Sequence, residues 1–249
     1  MNKQFILFIF IGLVFFSVLS HTFFSNSEIN ENEGILTLAF DDGLKSQYEI
    51  AFKEMQKYGY NGTLFLFANQ TGFFEGRELM TFQEAKEMQD YGWEIGSHGM
   101  IHEFINEDNL YYQIVQSKNL LSSKGFVINS FACPKGCNES IYNLRKIGEE
   151  NYITIRSLNW GENNLENYNS KNLNSKWVNN INTAEEVCNW LVDSNENNKW
   201  LILLFHGIDE KDNPNHPYDI SAGNFKQILN CIDKIDMDVK TIREVLKNE

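Results

Sequence analysis

Leu36-Thr37-Leu38-Ala39-Phe40-Asp41-Asp42-Gly43, residues 36–43, is an apolar strand that stops at two adjacent carboxylates and a glycine. Successive strand side chains point to opposite faces, so Asp41 and Asp42 can share one pocket only if the chain leaves the strand there. Gly43 permits such a turn because it has no Cβ to forbid positive φ. An ordinary Asp-Asp-Gly turn remains an open reading of this stretch alone.

Outward from it, short β-rich runs alternate with amphipathic helical stretches. Gly34–Phe40 is a strand, and Lys45–Tyr58 reads as a helix with Ile50, Phe52, Met55 and Tyr58 near helical spacing. Thr63–Ala68 is apolar throughout, as a buried parallel strand is. Thr81 with Glu84 forms a capping box for a helix ending near Tyr91, and Trp93–Ser97 is a strand that delivers His98. A long helix over Asn106–Lys124, a strand near Ser130–Cys133, a helix over Ser140–Glu149 and a strand over Tyr152–Ser157 follow. Gly161–Ser175 is Asn-rich and aperiodic and reads as a loop. Helix Ala184–Asp193 precedes the most apolar strand, Trp200–Phe205, which ends at His206. Helices Ser221–Ile235 and Thr241–Lys247 surround a short strand, Asp238–Lys240. Repeated strand–helix units with buried strands imply an α/β fold with a parallel sheet.

The chain has 249 residues, 42% hydrophobic, with a net charge of -13. That profile is globular, and the charge excludes nucleic acid as a partner because phosphate neutralisation needs clustered Lys and Arg. Lys3 followed by the apolar run Phe5–Leu19 and Ser20-His21-Thr22 reads as a signal peptide or signal anchor over residues 1–24. A linker follows over 25–33, and one domain over 34–249. Residues 5–19 could stay as a membrane anchor, although a full span takes about 20 apolar residues. Either way the expected location is exported, secreted or at the cell surface. Asn61, Asn69 and Asn138 open glycosylation triplets. Of three pairings open to the four cysteines, Cys133–Cys137 with Cys188–Cys231 is preferred.

Asp41, Asp42, His98, His206 and the 133–137 turn all follow carboxyl ends of expected strands. In an α/β barrel that face is where sites are built. His98-Gly99-Met100-Ile101-His102 spaces two imidazoles four residues apart, so one helical turn would bring both to one side. With a carboxylate they suit a divalent first-row metal and leave positions open for water and substrate.

Here the chain resembles a known family, the polysaccharide deacetylases with the NodB homology domain (carbohydrate esterase family 4). Ala39-Phe40-Asp41-Asp42-Gly43 and Ser97–His102 stand at its first two motifs. Phe131-Ala132-Cys133-Pro134-Lys135-Gly136 stands at the third and Leu203–Gly207 at the last, an order matched from about residue 34 to 245. The resemblance implies a distorted (β/α) barrel of about seven parallel strands, monomeric, holding one divalent metal, usually zinc. Asp42, His98 and His102 would be its ligands, Asp41 the general base and His206 the general acid. An N-acetyl, or O-acetyl, group on a polysaccharide or oligosaccharide would be hydrolysed. The backbone of Lys135, with Pro134, would meet the oxyanion, and Trp160 or the Thr71–Phe74 loop would stack on sugar.

The departures define two further readings. The arginine that the family places in the third motif to hold the base is Ala132 here, and Cys133 and Lys135 replace the usual Pro and aromatic residue. The fourth motif is Arg156-Ser157-Leu158-Asn159-Trp160 in place of an acidic pattern. Asn159 is expected to orient His206, and Arg156 to replace the missing guanidinium by pairing with Asp41. A surface glycan-binding protein with impaired catalysis, and a metal-dependent hydrolase of a non-sugar amide, stand as alternatives.

Overall fold

The computed structural model describes residues 34–70, 72–136 and 142–246. The expected signal segment, the linker and Cys137 lie outside the described residues. Seven parallel strands close into a barrel: β1 (Ile35–Phe40), β2 (Thr63–Leu66), β3 (Glu94–Ser97), β4 (Ser130–Ala132), β5 (Thr154–Trp160), β6 (Leu173–Trp177) and β7 (Lys199–Phe205). They pair in chain order, and β7 pairs back onto β1 from Ile35 opposite Trp200 to Phe40 opposite Phe205. The architecture is therefore the α/β fold that the strand–helix pattern implied, closed into the seven-stranded barrel that the resemblance implied.

Alternation along these strands separates two apolar layers. Leu36, Leu38 and Phe40 of β1, with Leu201, Leu203 and Phe205 of β7, pack outward under the helices. Ala39, Trp200, Ile202 and Leu204 pack inside the barrel. Each such buried Leu or Phe contributes about 1.5–3 kcal/mol relative to exposure, so a one-residue register slip would invert both layers. Short strand Asp238–Val239 pairs with the start of β1, and Ile242 and Val245 of the final helix, Ile242–Leu246, plug the lower end of the barrel. There Glu94, buried, accepts hydrogen bonds from the Arg243 N–H and the Thr63 hydroxyl.

Helices Phe82–Asp90, Ala184–Glu196 and Ala222–Ile235 lie where the patterning puts them, the first with the Thr81/Glu84 capping box formed on both sides. Cys188–Cys231 joins the last two, with Cα atoms 6.0 Å apart. In the chain-entropy account, closing that loop stabilises by about 4 kcal/mol. Cys133 is also disulfide-bonded.

Three local expectations are corrected. Lys45–Tyr58 and Asn106–Lys124 are not uniform α-helices: π-helical segments Gln47–Phe52 and Tyr112–Gln116 run into α-helices Lys53–Gln56 and Ser117–Ser123. The expected loop Gly161–Ser175 contains the start of β6, since Leu173 and Ser175 face the barrel while Asn174 and Lys176 do not. One apolar and one polar buried residue, Leu173 and Ser175, on so short a strand leave too little period-2 signal to read.

Candidate metal centre and active site

The inward face of β1 runs through Thr37 and Ala39 to Asp41, so strand alternation alone delivers Asp41 into the mouth of the barrel. The Asp41 N–H still donates to the Phe205 carbonyl of β7 at 3.0 Å. Asp42 then leaves the strand, and it does so one residue earlier than expected: Asp42 itself has φ 75°, ahead of Gly43 at φ 71°. A left-handed non-glycine residue costs on the order of 1 kcal/mol. The result is that both carboxylates occupy one pocket, each about 1% exposed. Gln47, buried at the start of its π-helical segment, donates to the Asp41 carbonyl at 2.5 Å and to the His206 carbonyl at 2.9 Å. One side chain thus ties the ends of β1 and β7 together.

His98 and His102 do face the same side, but no helical turn brings them there. The 98–102 segment is a bend with Gly99 at φ 82°, and Gln113 accepts from the Met100 N–H at 2.8 Å and the Ile101 N–H at 3.3 Å. A Cβ on Gly99 would lie 2.7 Å from that same Gln113 oxygen. Nδ1 of His98 donates to the Ala132 carbonyl at 2.9 Å, which fixes the ring and leaves Nε2 as its acceptor.

The three candidate donors converge. His98 Nε2 lies 3.6 Å, and His102 Nε2 3.9 Å, from Asp42 Oδ1, and all three ligand atoms fall within 4.8 Å of one another. Asp42 Oδ1 is buried with no hydrogen-bond partner. Burial lowers the pKa of His98 to about 3, and burial together with His98 lowers that of His102 to about 4. Both rings are therefore neutral, as ligands must be. Burial and the neighbouring Asp41 push Asp42 well above the usual carboxylate range, against the pull of Arg77. A dication among these atoms reverses that balance. An orphaned carboxylate oxygen facing two neutral imidazoles fits a divalent metal.

Arg156 enters the barrel from β5, 1% exposed, and its Nη2 donates to Asp41 Oδ2 at 2.5 Å. It sits opposite Ala132 in the β4–β5 register, so the guanidinium stands one strand over from where the family motif would place it. Phe65 lies beneath it, 5.3 Å from ring centroid to guanidinium carbon, and Ser175 of β6 accepts from its Nη1 at 3.5 Å.

His206 lies at the carboxyl end of β7 beside Tyr218, ring centroids 5.5 Å apart. Burial lowers its pKa to about 3, opposed by the Asp41 charge. Asn159 does not orient it. That side chain is exposed and donates to Asn172, while His206 Nδ1 has no partner. The cause is alternation again: Arg156 and Leu158 face the cavity side of β5, and Asn159 falls on the other.

A cavity of about 600 Å³ opens over these groups. Phe74, Phe104, Cys133, Lys135, Leu158, Trp177 and Tyr218 line its walls. Of the expected substrate contacts, Lys135 lines the cavity. Pro134 is buried behind it against Gly99, and Trp160, 49% exposed, packs on the outside of Trp177. Residues that sequence reasoning missed make up much of the rim. Arg77, on the short hairpin of Phe73–Phe74 with Arg77–Glu78, lies 3.6 Å from Asp42 Oδ2 and donates to Asp219 at 2.7 Å and to Glu75 at 3.1 Å. Asp219 in turn accepts from the Gly207 N–H at 3.0 Å, directly after His206. Nothing local marks Arg77, Asp219, Gln47 or Gln113, because each acts on a backbone or side chain far away in sequence.

The chain is similar to known proteins in part of its sequence and in its fold. The family model described as polysaccharide deacetylase matches residues 28–151. YxkH of Bacillus subtilis (strain 168), which carries a polysaccharide deacetylase name, is 31% identical over 75 residues, 30% of this chain. The chain spans only 26% of that relative's length. Among solved structures, the Bc1960 peptidoglycan N-acetylglucosamine deacetylase superposes with a TM-score of 0.60 at 17% identity, covering 86% of this chain and 88% of its own. The chitin deacetylase of Colletotrichum lindemuthianum gives 0.59 at 15%, covering 86% and 88%. A family 4 acetyl xylan esterase from Clostridium thermocellum, in complex with cobalt, gives 0.56 at 16%, covering 86% and 90%. At these identities the structural likeness establishes the shared barrel fold.

Proposed function

The chain belongs to the polysaccharide deacetylase family, and from that premise we propose that it is a metal-dependent hydrolase removing N-acetyl groups from an exported or cell-envelope polysaccharide. The observation that carries this reading is the convergence of Asp42, His98 and His102 within 4.8 Å on one side of Asp41, with Arg156 on the other. Asp42 Oδ1 and the two Nε2 atoms would hold a divalent ion, zinc being the expected one. Bound there, such an ion supplies Lewis-acid polarisation of the acetyl carbonyl and makes water acidic enough to attack near neutral pH.

The chain's own residues do the rest. Asp41, aimed by the hydrogen bond from Arg156 to its Oδ2, takes the proton of the attacking water through its second oxygen, Oδ1, which is buried and unpartnered. The Lys135 N–H faces the oxyanion that develops on the acetyl group. When the C–N bond breaks, the sugar nitrogen needs a proton, and His206 is the group to give it. Since burial keeps His206 neutral, the proton taken by Asp41 passes to His206 and then to the amine. Water is thereby added across the amide, OH to the acetyl carbon and H to nitrogen. Phe74, Phe104, Trp177 and Tyr218 exclude water and offer faces to the sugar.

The test is acetate release from N-acetylated chito-oligosaccharides with and without chelator. Release that a chelator stops and zinc restores, and that Asp41→Asn abolishes, supports the reading; release indifferent to chelator overturns it. The unpartnered Nδ1 of His206 favours a second reading, a glycan-binding protein with impaired catalysis. Glycan retention without acetate release under any metal would select it.

A further inference from the structure

Two arginines serve the site, and both are matched by carboxylates: Arg156 by Asp41, and Arg77 by Asp219, Glu75 and Asp42. Those four carboxylates would balance the two guanidinium groups together with the divalent ion that Asp42, His98 and His102 would hold. Lys135 is different. It lines the same cavity, yet no carboxylate among the described residues pairs with its ammonium, which lies 5.4 Å over the ring of Phe104. Phe104 is itself 65% exposed. Lys135 also holds a left-handed backbone, φ 56°, a conformation that asparagine or glycine adopts with less strain than lysine does. Among the described residues, the mouth of the site therefore carries one positive charge without a carboxylate partner, pinned against an aromatic plate, in a chain of net charge -13.

We propose that Lys135 and Phe104 form a subsite for an anionic substituent of the glycan, so that the preferred substrate is an acidic polysaccharide, carrying carboxylate or phosphate beside the acetylated sugar. This rests on the deacetylase reading and adds the substrate class to it. The remaining surface repels a polyanion, but at physiological salt that field decays over about 8 Å, so the local charge at the mouth decides which sugar is accepted. An exposed ammonium acts through solvent, which limits its effect to roughly fivefold to tenfold in kcat/KM.

The experiment compares three N-acetylated oligosaccharides of equal length: neutral, with one neighbouring C6 oxidised to carboxylate, and with one neighbouring 6-phosphate. The variants are Lys135→Asn, which suits the left-handed backbone, and Lys135→Glu. The native protein should favour an acidic oligosaccharide about fivefold or more at low salt, with carboxylate or phosphate distinguished by which is turned over faster. The ratio should approach one in Lys135→Asn, invert in Lys135→Glu, and shrink with added salt. Equal kcat/KM on neutral and acidic chains, or a preference that survives in Lys135→Asn, overturns the proposal. Calorimetric binding of the same three probes to Asp41→Asn protein, with and without Lys135→Asn, reads the ratio without catalysis. A charge preference that depends on Lys135, alongside no acetate release in any arm, would strike the deacetylase reading and leave the anionic subsite standing.

Discussion

Arg156 and Ala132 face each other in register on adjacent strands, and Arg156 reaches from that position to Asp41 with a 2.5 Å ion pair. The guanidinium expected from one strand is supplied by its neighbour, and the small Ala132 side chain, fully buried, leaves the space it crosses. Both partners of the ion pair are buried, so removing one leaves an uncompensated charge.

Arg156→Ala should therefore destabilise the fold by about 3–5 kcal/mol and lower kcat, read by urea denaturation and by acetate release. The register relationship allows a sharper test. Returning the guanidinium to β4 in Ala132→Arg/Arg156→Ala should recover a substantial part of both losses. A double variant no better than Arg156→Ala alone would show that the two positions do not share one space.

Gln113 holds the His98–His102 bend from a distance. Gln113→Ala leaves the buried Met100 N–H without its partner at 2.8 Å, a cost of about 1–3 kcal/mol. With the histidine loop released, zinc affinity should fall roughly tenfold or more, as titration calorimetry would show. Unchanged affinity would mean that the loop is held by its pairing with Ala68 and Asn69 instead.

Asp219 supports the backbone next to His206. Asp219→Ala strands the Gly207 N–H and frees Arg77, whereas Asp219→Asn keeps an acceptor for that N–H. The urea midpoint should drop clearly for the alanine variant, by an amount equivalent to about 1–3 kcal/mol, and distinctly less for asparagine. Equal midpoints would remove the role assigned to this hydrogen bond.

His206 makes stability depend on pH in a definite direction. Its folded pKa of about 3 lies below the ordinary 6.5, so between those values the unfolded chain binds a proton that the folded chain does not. The contribution is complete above about pH 6.5 and is lost as pH falls towards about 3. In metal-free protein, His206→Asn should reduce the slope of stability against pH in that window by up to one proton, about 1.4 kcal/mol per pH unit. Parallel curves for the two proteins would place His206 in solvent.

Much of this was legible from residues alone. The runs 36–40 and 200–205 are long and apolar enough to be buried strands, Thr81 with Glu84 marks a helix start, and Asp41-Asp42, His98 and His102 stand out as candidate site residues. These are signals between near neighbours, where covalent spacing and side-chain alternation leave few options. β6 stayed hidden because Leu173-Asn174-Ser175-Lys176-Trp177 has too few apolar residues to stand out, and its partners Arg156, Leu203 and Leu204 are distant in the chain. Asn159 was misjudged because a bulge between Arg156 and Trp160 and strand alternation decide which side chains reach the cavity.

The sequence by itself determined the alternation of buried strands and helices, and its motifs singled out Asp41, Asp42, His98 and His102 as the candidates for one site, since each depends on local pattern or on a motif with fixed spacing. Only the tertiary structure decided what holds them. Arg156 on Asp41, Gln47 across the ends of β1 and β7, Gln113 under the histidine bend and Arg77 with Asp219 at the rim all join residues remote in sequence. Such contacts exist only once closure of the barrel has brought the strand ends onto one face.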